Sequence, residues 1–224
     1  VALGNYALAF QNFTSATDSY NTAVGHLAGY QVTTGTENVL IGGLVGDSIT
    51  TGERNTAIGG QALSSNTTAS ANTAVGYKAL FENTTGASNT AMGQDALRLN
   101  TTASYNTAVG LSSLRANTTG NYNVAYGVSA LTANTTASSN GAFGFKALFA
   151  NTTGANNNAF GDSALRANTT GHENSAFGNN AGTAITTGQD NTCIGWGAGA
   201  ALTTGNSAVF VGRSAGGTTT TGAN

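Results

Sequence analysis

The chain contains no proline, a single cysteine and two histidines, and only 7% of its residues are charged. One cysteine excludes a disulfide within the chain. The histidines, His26 and His172, are far apart in the sequence and lie in no ligand motif, so we expect no metal site and no cofactor. Its seven lysines and arginines are scattered and do not form the basic patch that nucleic-acid binding requires, so we expect no nucleic-acid partner.

Long apolar runs and catalytic motifs are also missing. No stretch approaches the roughly 20 apolar residues of a transmembrane helix, so we expect no membrane insertion by this segment. The sequence contains no recognisable Ser-His-Asp arrangement, calcium-binding loop or phosphate-binding glycine loop. We therefore expect a protein that is not an enzyme.

What the chain does contain is a repeat of seventeen residues, without insertion or deletion. A fixed period of this kind is the signature of a solenoid. Residues 21–224 therefore predict twelve stacked coils, and residues 1–20 predict an irregular first coil with a longer loop. The repeats begin at Asn21, Asn38, Asn55, Asn72, Asn89, Asn106, Asn123, Asn140, Asn157, Asn174, Asn191 and Ala208.

Each position of the repeat, numbered 1 to 17 from its opening residue, has a characteristic occupant. Position 5 is always Gly, positions 13 and 14 are always Thr, position 4 is always apolar, and positions 3 and 8 are mostly Ala. A short apolar segment closed by Gly is typical of a strand, and the Asn-Thr-Thr-Gly segment is typical of a turn. We predict an all-β, parallel β-solenoid with two short strands and two turns per coil, and with position 4 in the core.

Positions 9 and 12 vary together. In the seven repeats from Asn55 through Asn157, position 9 is Leu and position 12 is Asn. In the flanking repeats position 9 is Gly, and position 12 becomes apolar in four of five, as in the pair Gly46 and Ile49. We predict that both positions fill the same core volume, because a packed interior leaves no void. Stacking also predicts a ladder of Asn amides at position 1 and ladders of Thr hydroxyls at the turns.

The repeat resembles the YadA-like head of trimeric autotransporter adhesins and related segments of bacteriophage tail fibres. The resemblance rests on the strand Ala74-Val75-Gly76, on the small segments Ala79-Leu80 and Ala28-Gly29, and on the Thr-Thr-Gly turn. The unit is longer than the family's common head repeat, and we assign the additional residues to the Asn-Thr-Thr turn. The resemblance implies a left-handed parallel β-roll with three chains per fibre, located extracellularly, on a bacterial cell surface or a virion.

Sequence variation concentrates at positions 6, 7, 10, 11, 16 and 17, where aromatic residues lie beside lysines and arginines. Such a surface suits binding of a sugar or a protein, and contact between the chains of a fibre is an equally good interpretation. The candidate surface-binding residues are Tyr77, Lys78, Phe81, Arg98, Arg115, Phe145, Lys146, Phe149, Arg166 and Trp196.

Two functions remain open at this point. The first is a non-enzymatic extracellular fibre segment, an adhesin head or a tail fibre, which provides reach and presents a surface to a host-surface protein or glycan receptor. Its partners are two further copies in a parallel homotrimer, because large apolar residues on the outer positions of a charge-poor chain need a cover. The alternative is an ice-binding solenoid that uses its Thr ladders. In ice-binding faces, however, alternate residues of a strand point the same way, whereas here the threonines are adjacent in a turn.

Overall fold

The computed structural model describes residues 1–13 and 18–221. Residues 14–17, which belong to the predicted longer loop of the first coil, lie outside the described residues. The chain divides into unit 1, Val1–Leu111, and unit 2, Ser112–Asn224. Both are built from parallel strands and turns, and the described residues contain no helix. The predicted all-β parallel solenoid, with about twelve turns of seventeen residues, is confirmed.

In unit 1 each coil contributes one strand at positions 2 to 4 of the repeat. Consecutive strands pair in parallel, and equivalent positions lie opposite each other, as Ala23 pairs with Leu40 and Ala57 pairs with Ala74. The strands are β1 (Ala2–Leu3), β2 (Thr22–Val24), β3 (Val39–Ile41), β4 (Thr56–Ile58), β5 (Thr73–Val75), β6 (Thr90–Met92) and β7 (Thr107–Val109).

Unit 2 follows the same plan. Here too the register is fixed by the repeat, because Ala159 lies opposite Ala142 on one side and Ala176 on the other. Its strands are β8 (Val124–Tyr126), β9 (Gly141–Phe143), β10 (Asn158–Phe160), β11 (Ser175–Phe177), β12 (Thr192–Ile194) and β13 (Val209–Val211).

The prediction of a second strand in each coil is wrong for the described residues. Positions 7, 9 and 17 have a left-handed backbone, as at Lys78 (φ 56°), Leu80 (φ 51°) and Ser88 (φ 58°), and such angles cannot continue a strand. This part of the coil still bonds to the next one, since the Leu63 and Ser65 N–H groups donate to the carbonyls of Ala79 and Phe81 at 3.0 Å. The hydrogen bonds between consecutive coils therefore continue outside the strand, although the backbone is left-handed at three positions of the coil.

The Gly at position 5 allows neighbouring coils to approach closely. Gly42 has φ 142°, and a Cβ placed on it would lie 2.7 Å from the carbonyl oxygen of Gly59 in the next coil. Both the dihedral angle and the missing side chain are therefore required, which explains why no other residue occurs at this position.

The interior is filled by small residues and, in most coils, one larger apolar side chain; the coil that begins at Asn38 buries three, Leu40, Val45 and Ile49. Ala at positions 3 and 8 is fully buried in most coils, and so is Leu at position 9, for example Leu148 and Leu165.

At two coils with Gly at position 9, the side chain at position 12 occupies its space: a Cβ on Gly46 would lie 2.8 Å from Cδ1 of Ile49, and one on Gly182 would lie 3.0 Å from Cδ1 of Ile185. At Gly199 the nearest atom is instead Sγ of Cys193, at 2.6 Å. The prediction that positions 9 and 12 share one core volume is confirmed at Gly46 and Gly182.

Two ladders of buried asparagines complete the interior. At position 1, the Asn157 amide oxygen accepts the backbone N–H of Asn174 at 3.0 Å, and its amide nitrogen donates to the Gly171 carbonyl at 2.8 Å. At position 12, the Asn151 amide nitrogen donates to the side-chain oxygen of Asn134 and to the Gly154 carbonyl, both at 2.9 Å. The predicted amide ladder at position 1 is confirmed. The second ladder pairs buried amides with one another and with carbonyls, except that the amide oxygen of Asn168, next to the coil with Ile185, has no partner.

Candidate surface-binding site

The row of apolar side chains at position 4 lies on the outside of the coils. Because position 3 points inward, its neighbours at positions 2 and 4 of a three-residue strand must point outward. Placing position 4 in the core is therefore wrong. Ile41, Met92 and Ile194 are 37%, 44% and 42% exposed, respectively. The other described members of the row, half-buried or exposed, are Val24, Ile58, Val75, Val109, Tyr126, Phe143, Phe160, Phe177 and Val211.

In unit 2 part of this row is a stack of aromatic rings. The ring centroids of Phe143 and Phe160 are 4.4 Å apart, and those of Phe160 and Phe177 are 4.8 Å apart, with interplanar angles of 7° and 9°. Tyr126 extends the stack at 6.2 Å from Phe143. The spacing of the rings follows that of the strands, so each ring covers only the faces of its neighbours and leaves its edge in solvent.

The first predicted cluster of candidate residues, Tyr77, Lys78 and Phe81, is brought together by one coil of unit 1. The Lys78 ammonium lies 5.2 Å from the centroid of the Tyr77 ring and 5.3 Å from that of Phe81. A cation this close to an aromatic face is attracted by the ring quadrupole. Lys78 has a left-handed backbone, with φ 56°.

The second predicted cluster, Phe145, Lys146 and Phe149, repeats this geometry in unit 2. The Lys146 ammonium is 4.9 Å from the Phe145 centroid and 5.7 Å from the Phe149 centroid. The two clusters occupy the same repeat positions, 6, 7 and 10, so the similarity of the two sequences extends to their conformations.

The three candidate arginines occupy position 10, in different surroundings. Arg98 belongs to the coil that follows the first cluster, and its Nε lies 3.6 Å from a carboxylate oxygen of Asp95. Arg166 belongs to the coil that follows the second cluster, is exposed, and lines a groove with Phe149. Arg115 is half-buried in unit 2, two coils before Phe149 in the chain, and belongs to neither cluster.

Trp196 is 53% exposed in unit 2 and does not join the other candidates. Its neighbour is Arg213, whose guanidinium carbon lies 5.3 Å from the indole ring. Sequence analysis missed Arg213, although it is at position 6 in the repeat after Trp196. The signal that could have found it is the equivalence of positions in successive coils, because stacking makes residues seventeen apart into neighbours.

The two rows of threonines differ in their surroundings. At position 13 the hydroxyl donates to the carbonyl of the next coil, as from Thr152 to Thr169 at 3.0 Å. At position 14 the side chain is exposed, as in Thr153 and Thr170. The hydroxyls of position 13 are therefore engaged in holding coils together, and of the two adjacent rows in the turn only position 14 is exposed.

The interior holds the only cysteine of the sequence, Cys193, which is 1% exposed. Burial raises the pKa of its thiol to about 11 because the thiolate loses its hydration. Within the described part of the chain, no group of three His, Cys, Asp or Glu side chains is arranged to hold a metal ion.

Comparison with protein-family models, curated proteins and solved structures gives no match to this chain. A search of the described residues for a helix of sufficient length and apolar character to cross a membrane likewise finds none.

Proposed function

We propose that this chain is a segment of a non-enzymatic extracellular fibre, built as a parallel homotrimer, that holds a receptor-binding surface away from a cell or a virion. The observation that carries the proposal is the outward apolar row at position 4. Single exposed apolar residues are common on proteins, but an apolar side chain that recurs at the same outward position on successive strands of each unit marks an interaction surface.

The occupant of this row that fits best is another copy of the same chain. Every coil has one apolar side chain at position 4, so two parallel copies in register match coil by coil within each unit. The poverty of charge also favours self-association, because only 7% of the residues could oppose it by repulsion. Three copies around one axis close without leaving an open row, and the resemblance to adhesin heads and tail fibres agrees with three.

The second part of the proposal is the binding surface. The two lysine–aromatic clusters and the Trp196–Arg213 pair occupy positions 6, 7 and 10, which are different from the strand positions that carry the apolar row. One set of positions is therefore available for assembly while another stays free for a host-surface protein or glycan receptor. Aromatic residues and arginine are the side chains most enriched where proteins bind partners.

Light scattering on the purified chain tests assembly. We expect a mass of three times 22.1 kDa. Phe160→Lys places a charge in the aromatic stack and should give a monomer, since an unpaired charge in an apolar interface is strongly unfavourable. Thr153→Lys adds the same charge at an exposed position 14 of unit 2 and should stay trimeric. A wild-type chain that is stable at 22.1 kDa would refute the fibre.

The alternative of ice binding is tested by thermal hysteresis. We expect no activity, because the position 13 hydroxyls donate to carbonyls and position 14 provides only one exposed row of threonines. Hysteresis that disappears in a Thr153→Lys variant would favour ice binding over the fibre.

A further inference from the structure

The second cluster lies beside a groove that crosses from its own coil to the next two. Its volume is about 280 Å³, and it is lined by Phe149 and Ala150 of one coil, Arg166 and Ala167 of the next, and Thr183 of the one after. Phe149 is half-buried and Arg166 is exposed, and the residues that follow them, Ala150 and Ala167, are small.

The first cluster has the same lysine, aromatic ring and arginine but larger residues at the positions of the two alanines. Glu82 replaces Ala150, and Leu99 replaces Ala167, at position 11 of the two coils. The backbone N–H of Glu82 donates to the Arg98 carbonyl at 2.9 Å, so Glu82 belongs to the coil bonded directly to that of the arginine. Two larger side chains therefore occupy positions at which the groove of the second cluster is lined by methyl groups.

The two clusters also differ in net charge. In unit 1 the cations Lys78 and Arg98 are balanced by two carboxylates, Glu82 and Asp95, and Asp95 lies 3.6 Å from Arg98.

In unit 2 the position of Asp95 is taken by Ser163, so Arg166 has no carboxylate at the equivalent place. The one acid beside the second cluster is Asp162, at the Phe145 edge, and it accepts a hydrogen bond from the Ser163 hydroxyl at 2.8 Å. The coils on either side carry no charged residue at positions 6, 7, 10 and 11. The second cluster thus has an excess positive charge, located at Lys146 and Arg166.

We propose that the groove of unit 2 binds a saccharide that carries a carboxylate, which rests on the receptor-binding role proposed above. The apolar C–H face of a pyranose ring packs against the Phe149 ring. The carboxylate is held by the planar guanidinium of Arg166, which matches its two oxygens, with Lys146 as a second positive charge. A groove near 300 Å³ accommodates about one sugar residue, so the terminal sugar of a chain is the part recognised.

Isothermal titration of the assembled chain with 3′-sialyllactose and with lactose tests the proposal. We expect sialyllactose to bind at one site per chain and lactose, which lacks the carboxylate, to bind at least about tenfold more weakly. Arg166→Gln should lose at least about tenfold in affinity for sialyllactose with an unchanged melting temperature. Equal binding of the two sugars, or binding that survives Arg166→Gln, would overturn the proposal.

Exchanges between the two clusters supply a sharper test. Ser163→Asp gives unit 2 the carboxylate of unit 1 and should abolish sialyllactose binding. Asn156→Asp adds the same charge at position 17, where the backbone is equally left-handed (φ 59°), and should leave binding unchanged. The triple variant Glu82→Ala, Asp95→Ser, Leu99→Ala should raise the number of sites per chain from one to two. Binding that persists in Ser163→Asp, or a count that stays at one, would contradict the assignment.

Two further results separate this proposal from others. If a short oligoglutamate peptide binds as tightly as sialyllactose and with the same dependence on Arg166, the groove recognises acidic protein segments and the saccharide proposal fails. If the chain scatters light as a trimer but binds no sialyllactose, the fibre stands and the saccharide site falls. If the chain is a monomer and binds sialyllactose, the saccharide site stands and the fibre proposal fails.

Discussion

Positions 3 and 4 are adjacent in every strand, yet they carry opposite kinds of side chain. At position 3 the inward residue is Ala in most coils and fully buried, whereas at position 4 the outward residue is a large apolar one, such as Phe160, which is 36% exposed. In an ordinary half-buried strand the larger apolar residue faces the core. The inversion shows that small residues at position 3 leave the interior volume to the side chain at position 9 or 12, and that most large apolar side chains of the strands lie on the outside. Leu40 is the exception: it is fully buried at position 3, in the coil where position 9 is Gly46.

The inner and outer rows therefore follow different rules. Side chains at inner positions form their hydrogen bonds and packing contacts with the coils directly before and after them. The burial of side chains at outer positions depends on whether another molecule covers them. Pairs of substitutions that differ only in the side they face should separate these rules.

The largest difference in stability is expected between alanine substitutions at two neighbouring glycines of one coil, Gly42 and Gly43. Gly42→Ala places a Cβ 2.7 Å from the Gly59 carbonyl oxygen at φ 142°, where neither backbone can yield, and should cost about 4 kcal/mol or more of unfolding free energy. Gly43→Ala adds a methyl group with no atom within 4 Å and should change stability by less than about 0.5 kcal/mol. Urea unfolding of both variants measures the difference. Similar losses for the two would contradict the assigned role of position 5.

Replacing the residue at position 9 or the residue at position 12 alone should lower the unfolding free energy strongly. Replacing both together should lower it only slightly. Leu165→Gly leaves a cavity, and Asn168→Ile crowds the same volume and removes hydrogen bonds to Asn151 and Gly171, so each should cost about 3 kcal/mol. The double variant gives this coil the pair found in the next one, Gly182 and Ile185, and should lose less than about 1.5 kcal/mol. Additive losses in a double-mutant cycle would show that the two positions do not share one volume.

Three consecutive asparagines provide a smaller test of the ladder. Asn157→Ala leaves the buried Asn174 backbone N–H without its partner and removes one of the two hydrogen bonds to the Gly171 carbonyl, which keeps the one from Asn168. It should cost about 2 kcal/mol. Asn158→Ala changes an exposed residue of β10 and should cost less than about 0.5 kcal/mol. Thermal unfolding of the two variants tests this prediction. Equal melting temperatures would show that the ladder does not stabilise the protein.

The smallest effect concerns Cys193. Its pKa of about 11 in the folded protein lies above the 9.0 of a free thiol, so the unfolded chain loses this proton first. The contribution of the thiol to stability is therefore complete below pH 9 and declines as the pH rises from about 9 to about 11. Cys193→Ala introduces the residue that most coils have at position 3, and its melting temperature should fall less over this range than that of the wild type. Equal slopes would show that the thiol ionises as readily in the folded state.

The features that could be predicted from sequence are those that a repeat makes visible. The period fixes the stacking of coils and the pairing of equivalent residues, and the covariation of positions 9 and 12 revealed a shared volume. Whether the side chain at position 4 faces the core or the solvent could not be predicted. A strand of three residues is too short for the alternation of apolar and polar residues to show which face is buried. The left-handed Leu at position 9 was also missed, since Leu rarely adopts this backbone, at a cost of about 1 kcal/mol, and nothing in its side chain signals it.

The candidate site could be predicted in part for the same reason. Tyr77, Lys78 and Phe81 lie within one repeat, so the sequence places them together. Arg213 lies over Trp196 of the neighbouring coil, and its importance depends on packing between repeats, which single repeats do not display. Asp95 and Ser163 each share a repeat with an arginine, Arg98 and Arg166, but nothing in one repeat shows that these arginines lie beside the preceding coil's cluster.

The identical register of successive coils makes the coils interchangeable as genetic units. Thr56 pairs with Thr73, and Thr73 pairs with Thr90, in the same geometry. Loss of residues 72–88 would bring Thr56 opposite Thr90 and restore the interface that was removed. Recombination between repeats can therefore add or delete whole coils within a unit while every ladder is re-formed, and each event changes the reach of the molecule by one strand spacing, about 4.8 Å. Length is thus a quantity that selection can adjust in small steps without redesigning the fold.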